Sequence, residues 1–356
     1  MKKKVIITLF ALFIMIAFGA CEKETKVKGI IDSINKVEEP ISNDSDKVGT
    51  KEQTDGKEPT DANKPTDAIE PTDVPTNTLV TNTPSGNKEV DIDIISPILM
   101  ATPPFSYYIS DKAADSKSKS IKLSMISSEA NAIIDDENWF IDNNLSINTY
   151  SVPNSFRNIG GNLPHEIDTI WNDLIITAAF YDDSYIYCTY GNNFAEGYIL
   201  NIYDSETLEI LYNIDFSSYK YSPDYIIEDY DYIQQRINWA EIKDNILYIS
   251  NSHNTYAKSS NDMNAYVTAI DLTDMSILWR TDALVSNSYN FIIIDDVIIC
   301  GYGFTDEPDH LYQVDIYTGE VLDKIPLKTA ASYIIKKEQF LFVRTYNTNY
   351  VFDITK

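Results

Sequence analysis

The chain has little cysteine, little histidine and a deficit of positive charge, and each shortage argues against a class of protein. Three cysteines are too few for a disulfide scaffold. Since 28 Lys and Arg face 54 Asp and Glu, the formal net charge is −26, which argues against binding nucleic acid or adhering electrostatically to anionic lipid. His165, His253 and His310 lack His-x-x-x-His spacing, so we expect surface loop histidines and no metal site.

Sequence motifs for catalysis are missing as well. There is no Gly-x-Ser-x-Gly elbow, phosphate-binding loop or dinucleotide fingerprint, and Gly160-Gly161 is typical of a loop. Carboxylates are so abundant that no pair stands out as an acid and a base. The sequence therefore indicates no catalytic residue and no cofactor. It favours a non-catalytic protein while leaving enzymatic activity open.

The first residues have the pattern of an export signal. Three lysines precede the 14-residue apolar or neutral run 5–18, which suits a signal peptide and is short for a membrane-spanning helix. The following Gly19-Ala20-Cys21 resembles the lipobox of bacterial lipoproteins, although Phe18 stands where that family usually has Leu. The resemblance implies a signal peptide over residues 1–20 and a membrane anchor through lipid on Cys21. An ordinary secretory signal with an incidental Cys21 is the alternative.

Residues 21–90 have the composition of a disordered tether. They contain no aromatic residue, are rich in Asp, Lys, Thr and Pro, and repeat Pro-Thr-Asp at residues 59, 65 and 71. Such a segment cannot bury enough apolar surface to offset its ordering entropy. Extended, it would reach about 100–200 Å. Its style is similar to linkers in secreted proteins of Gram-positive bacteria, which suggests display on the extracellular face of a cell membrane.

Residues 91–356 are predicted to form one all-β domain built from repeats. Each unit begins with two short apolar runs around an acidic or polar turn, which is the pattern of a hairpin. These hairpins are predicted at residues 175–188, 239–249, 291–300 and 333–343, with a weaker copy at 132–141. Each unit continues with a strand ending at an aspartate, namely Asp204, Asp271, Asp315 and Asp353.

The spacing of these aspartates suits propeller blades. Successive spacings are 67, 44 and 38 residues, and the last two match the 40–50 residues of a four-stranded blade. Ala269, Asp271 and Trp279, followed by Thr318-Gly319 in the next copy, resemble the PQQ-like β-propeller repeat. That resemblance implies a propeller of about five four-stranded blades. The adjacent cysteines of quinone-binding members are missing, so no quinone is expected.

The last copy lacks a fourth strand. Because an unpaired edge invites aggregation, we expect residues 121–126 or 92–95 to pair beside residues 350–354 and close the propeller. A β-sandwich or two stacked sheets is the alternative. Cys188 and Cys300 occupy matching places two blades apart, too far for a disulfide, so we expect buried free thiols.

The most individual local feature is the tyrosine- and acid-rich stretch 219–232, in the insertion that lengthens one repeat. Aromatic and carboxylate groups on a loop suit binding of a sugar or peptide, so the candidate ligand-binding residues are Tyr221, Tyr225, Tyr230 and Tyr232. Covering a blade edge is the structural alternative. The sequence thus predicts a lipid-anchored platform for protein or extracellular glycan, with a secreted glycosidase on a five-bladed propeller as the alternative.

Overall fold

The structure is a computed structural model that describes residues 96–131, 136–153, 155, 159–224, 235–253 and 260–355. The chain divides into two units, Met1–Gly86 and Asn87–Lys356, and all described residues belong to the second. The predictions for the signal peptide, Cys21 and the tether therefore lie outside the described residues. Within the described ranges, no helix is both long enough and apolar enough to span a bilayer.

Sheet 1 is built on four antiparallel strands that follow one another in the chain: β7 (Leu174–Tyr181), β8 (Tyr185–Gly191), β9 (Ile199–Asp204) and β10 (Ile210–Asp215). Short strands extend it at both edges. A parallel strand, β1 (Ile98–Leu99), lies against β10. On the other side are β4 (Thr149–Ser151), β5 (Gly161–Asn162) and β6 (Ile170–Trp171).

Sheets 2 and 3 repeat the same four-stranded antiparallel meander. Sheet 2 consists of β11 (Ile237–Lys243), β12 (Ile246–Asn251), β13 (Tyr266–Asp271) and β14 (Ser276–Arg280), with β2 (Tyr108–Ile109) added beside β14. Sheet 3 consists of β15 (Ile292–Ile294), β16 (Val297–Tyr302), β17 (His310–Asp315) and β18 (Val321–Pro326).

Sheet 4 joins the two ends of the described domain. Its first three strands are β19 (Ala331–Lys337), β20 (Phe340–Thr345) and β21 (Thr348–Thr355), and its fourth is β3 (Lys122–Ala130), which pairs antiparallel with β21. The prediction that residues 121–126 would supply the missing strand is confirmed. The alternative at residues 92–95 lies outside the described residues.

The four repeat aspartates occupy equivalent places in the four sheets. Each lies in the third strand, opposite the first residue of the second strand. The pairs are Asp204 with Tyr185, Asp271 with Ile246, Asp315 with Val297, and Asp353 with Phe340. In the first three sheets the aspartate Oδ1 also accepts backbone N–H groups of the following turn. The repeat is therefore structural.

Apolar side chains fill the space between successive sheets. Leu200 of sheet 1 packs in one cluster with Leu247 of sheet 2, and Val267 of sheet 2 packs in another with Ile298 of sheet 3. A third cluster joins sheets 3 and 4 through residues such as Ile299, Leu311, Ile334 and Leu341. Each of these side chains is fully buried. Each sheet thus hides its apolar faces against its neighbours, as a propeller requires.

The described residues form an all-β propeller of four sheets, against about five predicted. The weak copy at residues 132–141 is not a hairpin, because Asp136–Asp142 forms a helix, α1. Trp139 and Phe140 of this helix pack on Tyr333 and Ile335 of β19. The described part of residues 136–171 therefore contacts both sheet 4 and sheet 1, where the repeat would place a fifth blade.

A segment that we call the strap, residues 97–130, crosses all four sheets. It adds β1 to sheet 1, β2 to sheet 2 and β3 to sheet 4. Over sheet 3, the Ile121 N–H donates to Oε1 of Gln313 at 2.6 Å, and Gln313 Nε2 donates back to the Ile121 carbonyl at 2.9 Å. The strap therefore ties the propeller together from outside.

Sheets 2 and 3 are also joined by a tryptophan. The buried Trp279 donates its Nε1–H to the Ile316 carbonyl at 3.0 Å. Its ring lies against Gly319, which has a φ of +73°, and a Cβ at this position would overlap the indole. Only glycine can adopt this positive φ without strain and also leave the space that the indole occupies. The Thr-Gly turn predicted from sequence is thus set by a contact with the neighbouring sheet.

Both described cysteines are buried free thiols, as predicted. Cys188 lies in β8 of sheet 1, and Cys300 lies in β16 of sheet 3. Burial raises the pKa of each thiol, that of Cys300 to about 12. A thiol with so high a pKa is a poor nucleophile at neutral pH, so both act as small apolar side chains.

Candidate functional site

The first strands of all four sheets line one pocket on the axis of the propeller. Its walls come from the ends of β7, β11, β15 and β19 and from residues 146–148, which follow α1. The cavity holds about 410 Å³ and opens beside the turns that lead from each first strand to the second. We call it the axial pocket.

The lower walls of the axial pocket are apolar. Trp239 of β11 and Ile334 of β19 line it together with Phe291, which precedes β15. Trp239 stacks on Phe180 of β7 with ring centroids 4.4 Å apart and an interplanar angle of 15°. Trp239 and Phe180 also line a second cavity, of about 20 Å³. The axis is therefore closed by packed side chains at this level.

Asp182 lies at the pocket wall, but its carboxylate is engaged by the local turn. Oδ1 accepts the backbone N–H groups of Ser184 and Tyr185 at 2.8 and 2.9 Å, and Oδ2 accepts the Tyr187 hydroxyl at 2.6 Å. The Tyr187 hydroxyl oxygen in turn accepts the Ile242 N–H at 2.9 Å. Burial and the neighbouring Asp182 raise the pKa of Tyr187. This network links sheets 1 and 2 and keeps Tyr187 protonated.

Glu241 is the carboxylate that the pocket leaves available. It lies half-buried in β11, lines the cavity, and makes no hydrogen bond or ion pair among the described residues. Burial, followed by the negative charge of Asp182, raises the pKa of Glu241 to about 7, while Lys243 opposes this shift. Glu241 is thus a poorly solvated carboxyl that changes charge near neutral pH.

The lysines around the pocket are mostly committed elsewhere. Lys243 donates to the carbonyl of Asp295 and pairs with Asp296 at 3.8 Å. Lys337 donates to the carbonyls of Asn143 and Asn144. Lys336 lines the wall formed by sheet 4, is exposed, and has no ion pair among the described residues. Among these lysines, Lys336 is therefore the uncommitted ammonium of the described pocket wall.

The tyrosines predicted to bind a ligand lie elsewhere in the fold. Tyr221 is in the connection between β10 and β11, where it is 1% exposed and its hydroxyl accepts the Arg236 N–H at 3.2 Å. Tyr225, Tyr230 and Tyr232 lie outside the described residues. Tyr221 contributes to packing here, and the role of the four residues in ligand binding stays a prediction.

A buried arginine accounts for part of the aromatic packing near Tyr221, which includes Tyr219 and Tyr266. The guanidinium of Arg280 lies 3.6 Å from the ring centroid of Tyr266 and 5.7 Å from that of Tyr219. Its Nη1 donates to the carbonyl of Pro104 at 3.0 Å. Burial lowers the pKa of Arg280 to about 10, so it still carries its charge at neutral pH. The aromatic rings stabilise that charge by cation–π attraction.

The prediction of surface loop histidines is wrong for His253, which is 5% exposed. Asn264 explains the difference. Its Oδ1 accepts the His253 N–H at 2.9 Å and its Nδ2 donates to the His253 carbonyl at 2.8 Å, which holds the backbone inside the fold. The ring then packs edge-on against Tyr221. Across the described part of the chain, no group of three or more His, Cys, Asp or Glu is arranged to hold a metal ion.

Sequence reasoning did not identify Glu241. The available signal was its position as a single acid inside a first strand, flanked by Ala240 and Ile242. A charged residue on an innermost strand of a propeller points toward the axis or into a neighbouring sheet. With about fifty acids in the chain, that position could be recognised only once the strand order was known.

Comparison with known proteins adds little beyond the fold. No family model matches the chain, and no curated protein matches it either. Among solved structures, the chain is similar to BamB from Moraxella catarrhalis, with 13% identity over 56% of this chain and 50% of that one, and a TM-score of 0.34.

Two further structures show the same level of likeness. The β-propeller domain of Cps50 (Swd1) from Myceliophteria thermophila is 12% identical over 51% of this chain and 52% of that one, with a TM-score of 0.31. A quinohemoprotein alcohol dehydrogenase from Pseudomonas putida is 9% identical over 51% of this chain and 38% of that one, with a TM-score of 0.31. The chain spans about half or less of each protein. The fold assignment therefore rests on the four sheets themselves.

Proposed function

We propose that this protein is a lipid-anchored extracellular lipoprotein whose propeller is a non-catalytic platform for binding another macromolecule. The observation that carries the platform is the axial pocket, a recess of about 410 Å³ whose walls come from all four sheets. A recess built on strands is rigid and preformed, which suits recognition. The lipobox-like Gly19-Ala20-Cys21 supports the anchor, and the partial PQQ-like signature around Trp279 is consistent with the propeller.

The polar groups of the pocket favour binding over catalysis. Hydrolysis of a glycosidic bond ordinarily needs two carboxyl groups that face the substrate. Asp182 already accepts two backbone N–H groups and one hydroxyl, so it serves to fix a turn. Glu241 then stands alone as an available carboxyl in the described pocket wall.

The anchor is tested with the full chain and a Cys21→Ala variant. We expect the wild type in the membrane fraction, labelled by radioactive palmitate, and the variant unlabelled and released into the medium. Two acyl chains give stable membrane attachment, so the difference should be nearly complete. Equal membrane attachment of the variant would refute the anchor.

A glycosidase is the second candidate, and one observation favours it. A general acid works best when its pKa is near the working pH, and the pKa of Glu241 is about 7 beside the carboxylate of Asp182. The experiment compares the full chain with Glu241→Gln on a panel of chromogenic glycosides. Glu209→Gln, at an exposed acid in the turn between β9 and β10 and outside the pocket, removes the same charge and serves as the control.

The two candidates give opposite results in this assay. The platform predicts no hydrolysis by any of the three proteins. Hydrolysis by the wild type and the control that is lost in Glu241→Gln would overturn the platform and establish the enzyme.

A further inference from the structure

We propose that the axial pocket receives a single cationic side chain of a protein partner, a lysine ammonium or an arginine guanidinium, with its charge beside Glu241 and Asp182. This inference rests on the proposed function and names the chemistry that the platform would recognise.

The charge of the pocket favours a cation. Glu241 makes no ion pair or hydrogen bond among the described residues, and Asp182 lies close enough to raise its pKa. An incompletely solvated carboxyl without a partner is costly, and a ligand ammonium or guanidinium would remove that cost. Lys336 adds one positive charge on the opposite wall but is exposed to water, which screens it.

The turns around the pocket mouth are negatively charged as well. The turns between first and second strands contain Asp183, Asp244, Asp295 and Asp296. The nearby Lys243 is already bound to the turn of sheet 3 through Asp296. In a chain with a net charge of −26, this field attracts basic partners and orients them before contact.

The walls suit a side chain with an apolar stem. Trp239, Ile292 and Ile293 line the pocket and are half-buried, so the methylene groups of a lysine or arginine would be buried against them. The indole of Trp239 offers further attraction to a cation that approaches its ring. A cation without a stem, such as a metal ion, would leave this apolar surface unused.

The hydrogen-bonding groups argue against a neutral sugar. Asn290 donates from Nδ2 to the Ile334 carbonyl at 2.7 Å and accepts the Ile334 N–H at Oδ1 at 3.0 Å. The Tyr187 hydroxyl and both oxygens of Asp182 are engaged as well. A polyhydroxyl ligand needs many free donors and acceptors, whereas these polar groups are already used by the fold and the described wall adds few others, such as the exposed Ser146 and Asn148.

The test is a titration of the full chain with two capped tripeptides, N-acetyl-Gly-Arg-Gly-amide and the matching peptide with neutral citrulline. Calorimetry gives affinity, and the change in fluorescence of the chain's four tryptophans, one of which is Trp239 in the pocket wall, gives a second measure of binding. We expect the arginine peptide to bind at least about tenfold more tightly than the citrulline peptide. Glu241→Gln should remove that preference, while Glu209→Gln should retain it.

A second variant keeps the test informative if Glu241→Gln is poorly folded. Lys336→Ala removes an exposed positive charge from the pocket wall and should tighten the arginine peptide by a few-fold. Equal binding of the arginine and citrulline peptides by the wild type would overturn the inference. So would unchanged affinity in both Glu241→Gln and Lys336→Ala.

The pH dependence gives an independent readout. The charged or titratable groups around Glu241 are Lys243 on its own strand, Tyr248 opposite it on β12, and Asp182, Tyr187, Asp296 and Lys336 on neighbouring elements. With a pKa of about 7, the ionised fraction of Glu241 rises about tenfold from pH 6 to pH 8. Affinity for the arginine peptide should rise in step, and Glu241→Gln should show no such rise. A flat profile in the wild type would contradict the role of Glu241.

Failure of the inference is distinguishable from failure of the proposed function. Binding of glycans on an array that is lost in Glu241→Gln, together with no peptide preference, would replace the cation by a sugar and leave the platform standing. Hydrolysis of glycosides dependent on Glu241 would remove the platform itself.

Discussion

The strap contributes outer strands to sheet 4 and to sheet 1, and the two contributions differ in extent. β3 pairs with β21 through eight residue pairs, from Thr348 to Thr355. β1 pairs with β10 through two, Ile98 with Ile214 and Leu99 with Asp215. Sheet 1 already has four strands of its own, whereas sheet 4 has only three. A strand that completes a sheet is long, and one that only covers a finished edge is short.

The difference also concerns what each strand covers. Leu123 of β3 packs on the cluster between sheets 3 and 4, which contains the buried Phe352 and Val343. Leu99 of β1 is 65% exposed and belongs to none of the buried clusters of the described residues. We therefore expect sheet 4 to depend on the strap for stability and sheet 1 to depend on it far less.

The largest effect is expected in the sheet that the strap completes. Phe352→Ala removes a ring that is 1% exposed and lies opposite Met125 of β3. It should lower the free energy of unfolding by about 3–5 kcal/mol, measured by urea denaturation of the full chain. Tyr346→Ala, in the exposed turn of the same sheet, should have little effect. Similar losses for the two variants would show that sheet 4 lacks the packed core described here.

An intermediate effect is expected from the strap itself. Leu123→Ala truncates a half-buried side chain on β3. The free energy of unfolding should fall by about 1–2 kcal/mol, below the range for a fully buried leucine. The same urea titration measures it. An unchanged midpoint would mean that β3 stabilises sheet 4 through its backbone alone.

The smallest effect is expected from the matched change on β1. Leu99→Ala is the same substitution on an outer strand of the same strap, at an exposed position. Its effect on the free energy of unfolding should stay within about 0.5 kcal/mol. If Leu99→Ala cost as much as Leu123→Ala, the distinction between completing a sheet and covering its edge would not hold.

The sequence predicted most strands and their closure because their signals are local. Paired apolar runs flank Asp182, Asp244 and Asp295, and each pair forms a hairpin in the structure. Closure followed from counting strands, since the copy ending at Asp353 had only three. The hairpins were predicted from short apolar runs on either side of turn-forming residues. Closure was predicted because an unpaired strand edge is unfavourable.

The prediction of a fifth copy at residues 132–141 was wrong because its described part lies in the helix Asp136–Asp142. Asp136 and Glu137 lie in the first turn of α1, where negative charge is favourable, and Trp139 and Phe140 share the buried side. Three consecutive apolar residues, Trp139, Phe140 and Ile141, are compatible with either a strand or a helix. Packing against Tyr333 decided the outcome, and that partner is almost two hundred residues away.

The candidate site could not be found from sequence for a related reason. Its walls come from four first strands separated by about 150 residues, so no local motif marks it. The tyrosine-rich insertion was the more conspicuous feature, yet Tyr221 is buried beside Tyr266. The composition of a segment can mark it as unusual, but it does not show which distant strands come together to form a pocket.

The close contact between Trp279 and Gly319 has a consequence for how this fold can vary. The indole occupies the space that any side chain at residue 319 would need. A larger residue there would require a smaller one at residue 279 and would still carry the strain of the positive φ, so the two positions should change together or, more often, remain fixed together. Evolutionary drift in one blade is constrained by the next, and a library randomised at both positions should return only compensated pairs.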